Sequence, residues 1–215
     1  MHDKSEVLRG TGASFAAVAA VVGVLLATGT AYAVPLAGIG GFTVQAEEIR
    51  GEEAYIYAGG TDTSERSAIP AGVTELASSE IDGLKLIKKL DVGAIPGLSG
   101  QMKMVISGTD TVTTGPQMLK FSNLKADEAI LRSQVIDESP SDDPNDRFTI
   151  EARGDPQEAE SINLGNSTDK PGLVLKDVTI NAHYLATNRI SIPGQQISIA
   201  YDPDGDGTFE QKFGS

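Results

Sequence analysis

Apolar side chains at every second position are the feature that most restricts the fold of this chain. In QMKMVISG, residues 101–108, the side chains of Met102, Met104 and Ile106 follow this spacing. The same spacing recurs in RISIPGQQISIAY, residues 189–201, on both sides of a Pro-Gly turn signal. Because side chains two positions apart lie on one face of a β-strand, we expect half-buried strands here. Residues 189–201 are expected to form a hairpin.

Composition supports the same fold class. The 215 residues include 24 glycines and no cysteine or tryptophan, which suits a turn-rich β protein and excludes both disulfides and thiolate metal sites. We therefore expect an all-β domain over residues 34–215, a mainly antiparallel sandwich or curved half-barrel, preceded by one N-terminal apolar helix. Residues 137–172 are acidic and rich in Pro, Ser and Asn, and they are expected to form a mobile loop with a short strand at Phe148–Ala152. Residues 83–93 fit either a helix or a strand.

An eight-residue pattern recurs four times, as VQAEEIRG, LASSEIDG, LKFSNLKA and LVLKDVTI. Apolar or small residues occupy positions one, three, six and eight. Position five is always polar and is occupied by Glu48, Glu80, Asn123 and Asp177. Because strict alternation would bury position five, the pattern predicts a bulge or bend there, with the polar side chain bonded to the backbone. The alternative is a chance match to a permissive pattern.

The N-terminus has the order of residues that is typical of a secretory signal peptide. Lys4 and Arg9 precede an apolar run, Phe15–Ala27, and small residues follow up to Ala33. The segment Ala13–Ala33 also has about 20 residues, the length of one bilayer crossing. Residues 1–33 are therefore expected to be a signal peptide or a membrane anchor. The rest of the chain is expected to be exported to the cell surface, either anchored or secreted.

The net charge of −13 would repel a phosphate backbone, so nucleic acid is not an expected partner. The acidic excess fits either a protein adapted to high salt or an ordinary acidic surface protein. The sequon NST makes Asn166 a weak candidate for glycosylation.

Near the C-terminus, the stretch YDPDGDGTFE resembles a calcium-binding loop. An EF-hand is excluded, because its twelfth position is Phe213 instead of glutamate. A weaker Ca²⁺ site remains open, and it would fasten the C-terminal segment to the domain. The alternative is a solvated acidic turn. The candidate ligands are Asp202, Asp204, Asp206, Thr208 and Glu210.

Catalytic residues are hard to assemble from this sequence. Outside the leader the only histidine is His183, and the closest approach to a nucleophile elbow, GLSG, is followed by Gln101 where glycine is required. We therefore favour a non-enzymatic protein of the cell envelope or surface, with a structural or interaction role and a possible envelope protein partner. Two alternatives remain open, an esterase and a carrier of an apolar ligand such as a lipid. The carrier's candidate binding residues, which would otherwise simply form the core, are Met102, Met104, Ile106, Leu119 and Phe121.

The order of several short motifs is also informative. FTVQAEEIRG, YIYAGG, EIDGLKLIKKL, LKFSNLKADEAIL, LVLKDVTINAHYL and ISIPGQQISI follow one another along the chain. In this order the chain resembles an uncharacterised family of exported proteins, best known from actinobacteria, whose members often carry the label cholesterol esterase. Members of that family often have a cysteine pair, which is absent here. The resemblance implies export and supplies no catalytic residues.

Overall fold

The computed structural model describes residues 41–63, 67–93, 99–143, 145–153, 158–159, 162–163 and 170–213. Within these ranges the chain forms strands and no helix, and every strand pair is antiparallel. The expected all-β, antiparallel fold is confirmed. The expected N-terminal helix and Asn166 lie outside the described residues. Among the described residues, no helix has the length and apolar character needed to cross a membrane.

The strands vary from two to fifteen residues, and the two longest stand at the centre of the fold. In chain order they are β1 (Phe42–Glu52), β2 (Ala54–Thr61), β3 (Ile69–Leu76), β4 (Ser78–Asp82), β5 (Lys85–Asp91), β6 (Gln101–Ser107), β7 (Val112–Thr114), β8 (Gln117–Lys125), β9 (Glu128–Leu131), β10 (Gln134–Glu138), β11 (Phe148–Ala152), β12 (Glu158–Ala159), β13 (Ile162–Asn163), β14 (Leu173–Thr187), β15 (Ile190–Ser191), β16 (Gln196–Asp202) and β17 (Gln211–Phe213). The stretch 83–93 is therefore a strand, and the short strand expected at Phe148–Ala152 is confirmed.

The central ladder of β1 and β14 belongs to two branches of one sheet. The first half of β1 pairs with β5 and its second half pairs with β4. Likewise, β14 pairs with β9 through its first residues and with β8 through its later ones. The large branch has the order β10-β11-β2-β3-β8-β14-β1-β5-β6-β16-β17, and the small branch has the order β9-β14-β1-β4-β7-β15. The sheet divides because two long strands change partners halfway along their length.

The change of partner coincides with a slip in the burial pattern. In β1 the buried positions are 42, 44 and 46 and then 49 and 51, so the strand shifts by one residue at Glu47–Glu48. In β14 the slip falls at Asp177, whose φ is +50°. The eight-residue pattern is thus confirmed in both strands. Its third copy is also confirmed, because Leu119, Phe121, Leu124 and Ala126 all pack against the core.

The copy that begins at Leu76 behaves differently. Its slips fall at Ala77–Ser78 and at Gly83, where the chain passes from β3 to β4 and from β4 to β5. Glu80 lies within β4 and makes no slip. The polar side chains at position five also differ from expectation, because Glu48 and Glu80 both bond to Arg50 instead of to the backbone.

The expected hairpin at residues 189–201 is wrong. β15 pairs with β7 in the small branch, whereas β16 pairs with β6 and β17 in the large branch. The Pro193-Gly194 turn therefore carries the chain from one branch to the other. Its position is fixed by the Pro193 carbonyl, which accepts a hydrogen bond of 3.0 Å from the N–H of Thr109. Side chains from both branches form a single core, which includes Val44, Ile49, Ile81, Leu86, Val112, Leu173, Leu175, Val178 and Ile180.

Candidate functional site

An apolar cavity of about 190 Å³ lies between the two branches of the sheet. This volume exceeds that of a cavity of ~150 Å³ that binds benzene, and it is below the ~300 Å³ at which ordinary drug-sized pockets begin. The large branch contributes, among others, Val44, Ile56, Leu86, Leu119 and Leu185. The small branch contributes Ile81, Ala129, Leu131, Leu173 and Ile190. The cavity is therefore suited to a small apolar molecule.

The cavity reaches the surface beside β9. Ala129 lines the cavity and is itself exposed, while the other residues around it are buried or half-buried. The lining of the cavity is thus exposed to solvent at residue 129, where the side chain is a single methyl group.

Three polar side chains line this otherwise apolar cavity, namely Thr74, Thr114 and Gln117. Two of them are paired through Ser79, whose hydroxyl lies 2.9 Å from Thr114 Oγ1 and accepts a hydrogen bond of 3.0 Å from Gln117 Nε2. Thr74 differs, because its Oγ1 is buried and has no hydrogen-bond partner among the described residues. Thr74 is only 5% exposed.

Of the five residues expected to bind an apolar ligand, only Leu119 lines the cavity. Ile106 is buried in the core, Met104 and Phe121 pack against it, and Met102 is half-buried. Phe121 lies over Gly72, where an added Cβ would come within 2.7 Å of the ring. The sequence does not single out Thr74, because the adjacent residues Val73 and Thr74 are both buried and alternation marks neither of them.

The acidic turn after β16 brings four of the five candidate Ca²⁺ ligands together. Oxygens of Asp202, Asp204, Asp206 and Glu210 all lie within 4.8 Å of one another. Thr208 contributes its backbone N–H, which donates to Asp206. The arrangement matches the spacing argument, and binding of Ca²⁺ stays a prediction.

The buried carboxylate of Asp202 fixes the conformation of the turn through hydrogen bonds to its backbone. Asp202 accepts hydrogen bonds from the N–H groups of Gly205 at 2.7 Å and Gly207 at 2.9 Å. Burial raises the pKa of this carboxyl, and the backbone donors outweigh burial, so the pKa lies below its ordinary value. Both glycines have positive φ, which suits a residue without a Cβ. These contacts hold the turn together whether or not a cation binds.

The residues considered for an esterase are not hydrogen-bonded to one another. Both ring nitrogens of His183 are buried without a hydrogen-bond partner in the part of the chain that is described. The hydroxyl of Ser99, from the GLSG stretch, instead donates to the carbonyl of Pro203 at 3.0 Å. An esterase activity stays an untested alternative.

Comparison of the chain with protein-family models, with curated proteins and with solved structures found no match. The resemblance to the exported actinobacterial family therefore stays a prediction.

Proposed function

We propose that this protein is a non-enzymatic, exported binder of a small apolar molecule, which it holds in the cavity between the two branches. The observation that carries this proposal is a cavity of about 190 Å³ lined almost entirely by aliphatic side chains. Transfer of apolar surface out of water favours binding by about 25 cal/mol per Å². A water molecule in such a place would lack the two to four polar partners that buried water needs.

Titration with toluene, followed by methyl NMR of the full chain, tests this proposal. Toluene is expected to shift the methyl signals of Leu119, Leu173 and Ile190, which line the cavity from both branches. The dissociation constant of toluene should be millimolar or lower if the cavity is accessible. If those methyl signals stay in place at saturating toluene, the proposal is wrong.

A variant at the mouth of the cavity provides the matched comparison. Ala129→Phe places a ring where the cavity reaches the surface, so it should weaken or slow the binding of toluene. Ala58→Phe is the control, because Ala58 is also an exposed alanine in a strand and does not line the cavity. Equal effects of the two substitutions would show that toluene binds elsewhere.

A second candidate function, a role in contacts at the cell surface, is favoured by the two ends of the large branch. β10 and β17 are its terminal strands, and Ile136 and Phe213 on them are 56% and 54% exposed. Terminal strands present unpaired backbone groups to which a partner strand can add. If this role is correct, Ile136→Lys should weaken the association of the purified protein in sedimentation experiments, and Ala58→Lys should not.

Export itself is tested by the native N-terminus. Sequencing of the protein recovered outside the cytoplasm should give Val34 if the leader is cleaved, or an intact leader in the membrane fraction if it serves as an anchor. Recovery of the full chain in the cytoplasm would contradict export.

A further inference from the structure

We propose that the natural ligand of the cavity is a neutral apolar molecule that bears one hydroxyl or carbonyl group, and that this group pairs with Thr74 Oγ1. This inference rests on the proposed function. It adds the chemical class of the ligand and the one side chain that orients it.

Thr74 lines the cavity, and its cross-strand neighbours offer its hydroxyl no side-chain partner. Thr74 lies in β3 between Ile56 of β2 and Leu119 of β8, which are its cross-strand neighbours. Both neighbours line the cavity too, and neither side chain has a polar atom. The hydroxyl is buried, and the described residues offer it no partner. Buried polar groups normally have a hydrogen-bond partner, so the lack of one for Thr74 Oγ1 among the described residues requires an explanation.

The other two polar side chains of the cavity already have a hydrogen-bond partner. Thr114 and Gln117 both bond to the Ser79 hydroxyl. Among the described residues that line the cavity, Thr74 is therefore the one with a buried side-chain polar atom that has no hydrogen-bond partner. A ligand with a single polar group can satisfy this atom, and the otherwise aliphatic lining favours a ligand whose remaining surface is apolar.

The residues that line the cavity also restrict the charge that a ligand can carry. None of the described residues that line the cavity is charged. An ionised ligand group would lose its hydration without gaining a counter-charge, and this transfer is strongly unfavourable. The ligand is thus an alcohol, a ketone or a related neutral molecule, and not a carboxylate or an amine.

A matched pair of probes tests the inference on the full chain. Toluene and phenol have the same shape and the same number of non-hydrogen atoms, and they differ in a methyl group against a hydroxyl group. The measured quantity is the ratio of the dissociation constant of toluene to that of phenol. Thr74→Val keeps the shape of the side chain and removes its hydroxyl, so this ratio should fall by about threefold to tenfold, the value of one neutral hydrogen bond. Methyl NMR locates each probe in the cavity.

Thr114→Val is the control. Thr114 lines the same cavity, but its hydroxyl is paired with Ser79, so its removal should leave the ratio unchanged. If toluene binds in the cavity and Thr74→Val leaves the ratio unchanged, the inference about Thr74 is overturned while the proposed function stands. If neither probe binds, the cavity is not a binding site and both proposals fail. Toluene binding to Thr74→Val also confirms that this variant retains the cavity.

Discussion

Val44→Ile should stabilise the protein, although enlarging a core side chain usually has the opposite effect. Val44 is 5% exposed and lines the cavity from β1, so the added methylene group has empty space to enter. Burial of one methylene group is worth about 0.8 kcal/mol. At ~24 cal/mol per Å³, filling the whole cavity would be worth about 4 to 5 kcal/mol, so one methylene group is well within what the space allows. Isoleucine is also β-branched, as a strand position favours.

Val73→Ile makes the matched comparison. Val73 is 2% exposed and faces the side of β3 opposite to Thr74, away from the cavity. Its Cγ2 packs close to Gly59, where an added Cβ would come within 2.7 Å of it, and Val73 does not line the cavity, so an added methylene group has no known empty space to enter. Overpacking of this kind costs about 1 to 3 kcal/mol. Urea unfolding should therefore separate the two variants by about 2 to 4 kcal/mol, with opposite signs relative to the parent. If Val44→Ile destabilises as much as Val73→Ile, the cavity is not the empty space described here.

Three further predictions test the sheet and the acidic turn. Arg50→Ala leaves three carboxylates of β1 and β4 without their shared cation, so it should cost about 1 to 2 kcal/mol in urea unfolding. Lys176→Ala, which removes the exposed Lys176–Glu128 pair, should leave stability nearly unchanged, and equal costs of the two substitutions would contradict the network. The φ of Asp177 is +50°, so Asp177→Gly should be neutral or stabilising, whereas Asp177→Val should cost about 1 to 2 kcal/mol or more. If the valine variant were the more stable of the two, the bulge at Asp177 would be contradicted. The folded-state pKa of Asp202 lies below its unfolded value, so its contribution to stability is present above the unfolded pKa and is lost as pH falls through the folded one. Asp202→Asn should therefore lower stability at pH 7 and flatten its dependence on pH below about 4; an unchanged acid profile would contradict this assignment.

Much of the local structure could be predicted from apolar spacing, because spacing reports which face of a strand is buried. The alternation at Met102, Met104 and Ile106 marks β6, and the slips near Glu48 and at Asp177 follow from the eight-residue pattern. The copy beginning at Leu76 failed for a local reason. There the chain leaves one strand and enters another at Ala77 and at Gly83, and a polar residue at position five does not distinguish a bulge from a strand end.

Strand partners were much harder to predict than strands. Residues 189–201 have the apolar spacing and the turn signal of a hairpin, yet β15 and β16 join different branches. Apolar spacing fixes the face that a strand buries and leaves open which strand lies beside it. The cavity was beyond prediction for the same reason, because Thr74 and Leu173 come together only through the tertiary arrangement of the two branches.

The central ladder joins parts of the chain that are far apart, because β1 spans residues 42–52 and β14 spans residues 173–187. During synthesis, β1 has no main partner until the residues of β14 have been made. Non-local pairing of this kind slows folding and leaves the apolar face of β1 uncovered until β14 has been made. A nascent chain that stops before residue 173 lacks the central ladder that joins the two branches. Such truncated products are expected to aggregate or be degraded, so maturation of this domain waits for β14 to be made.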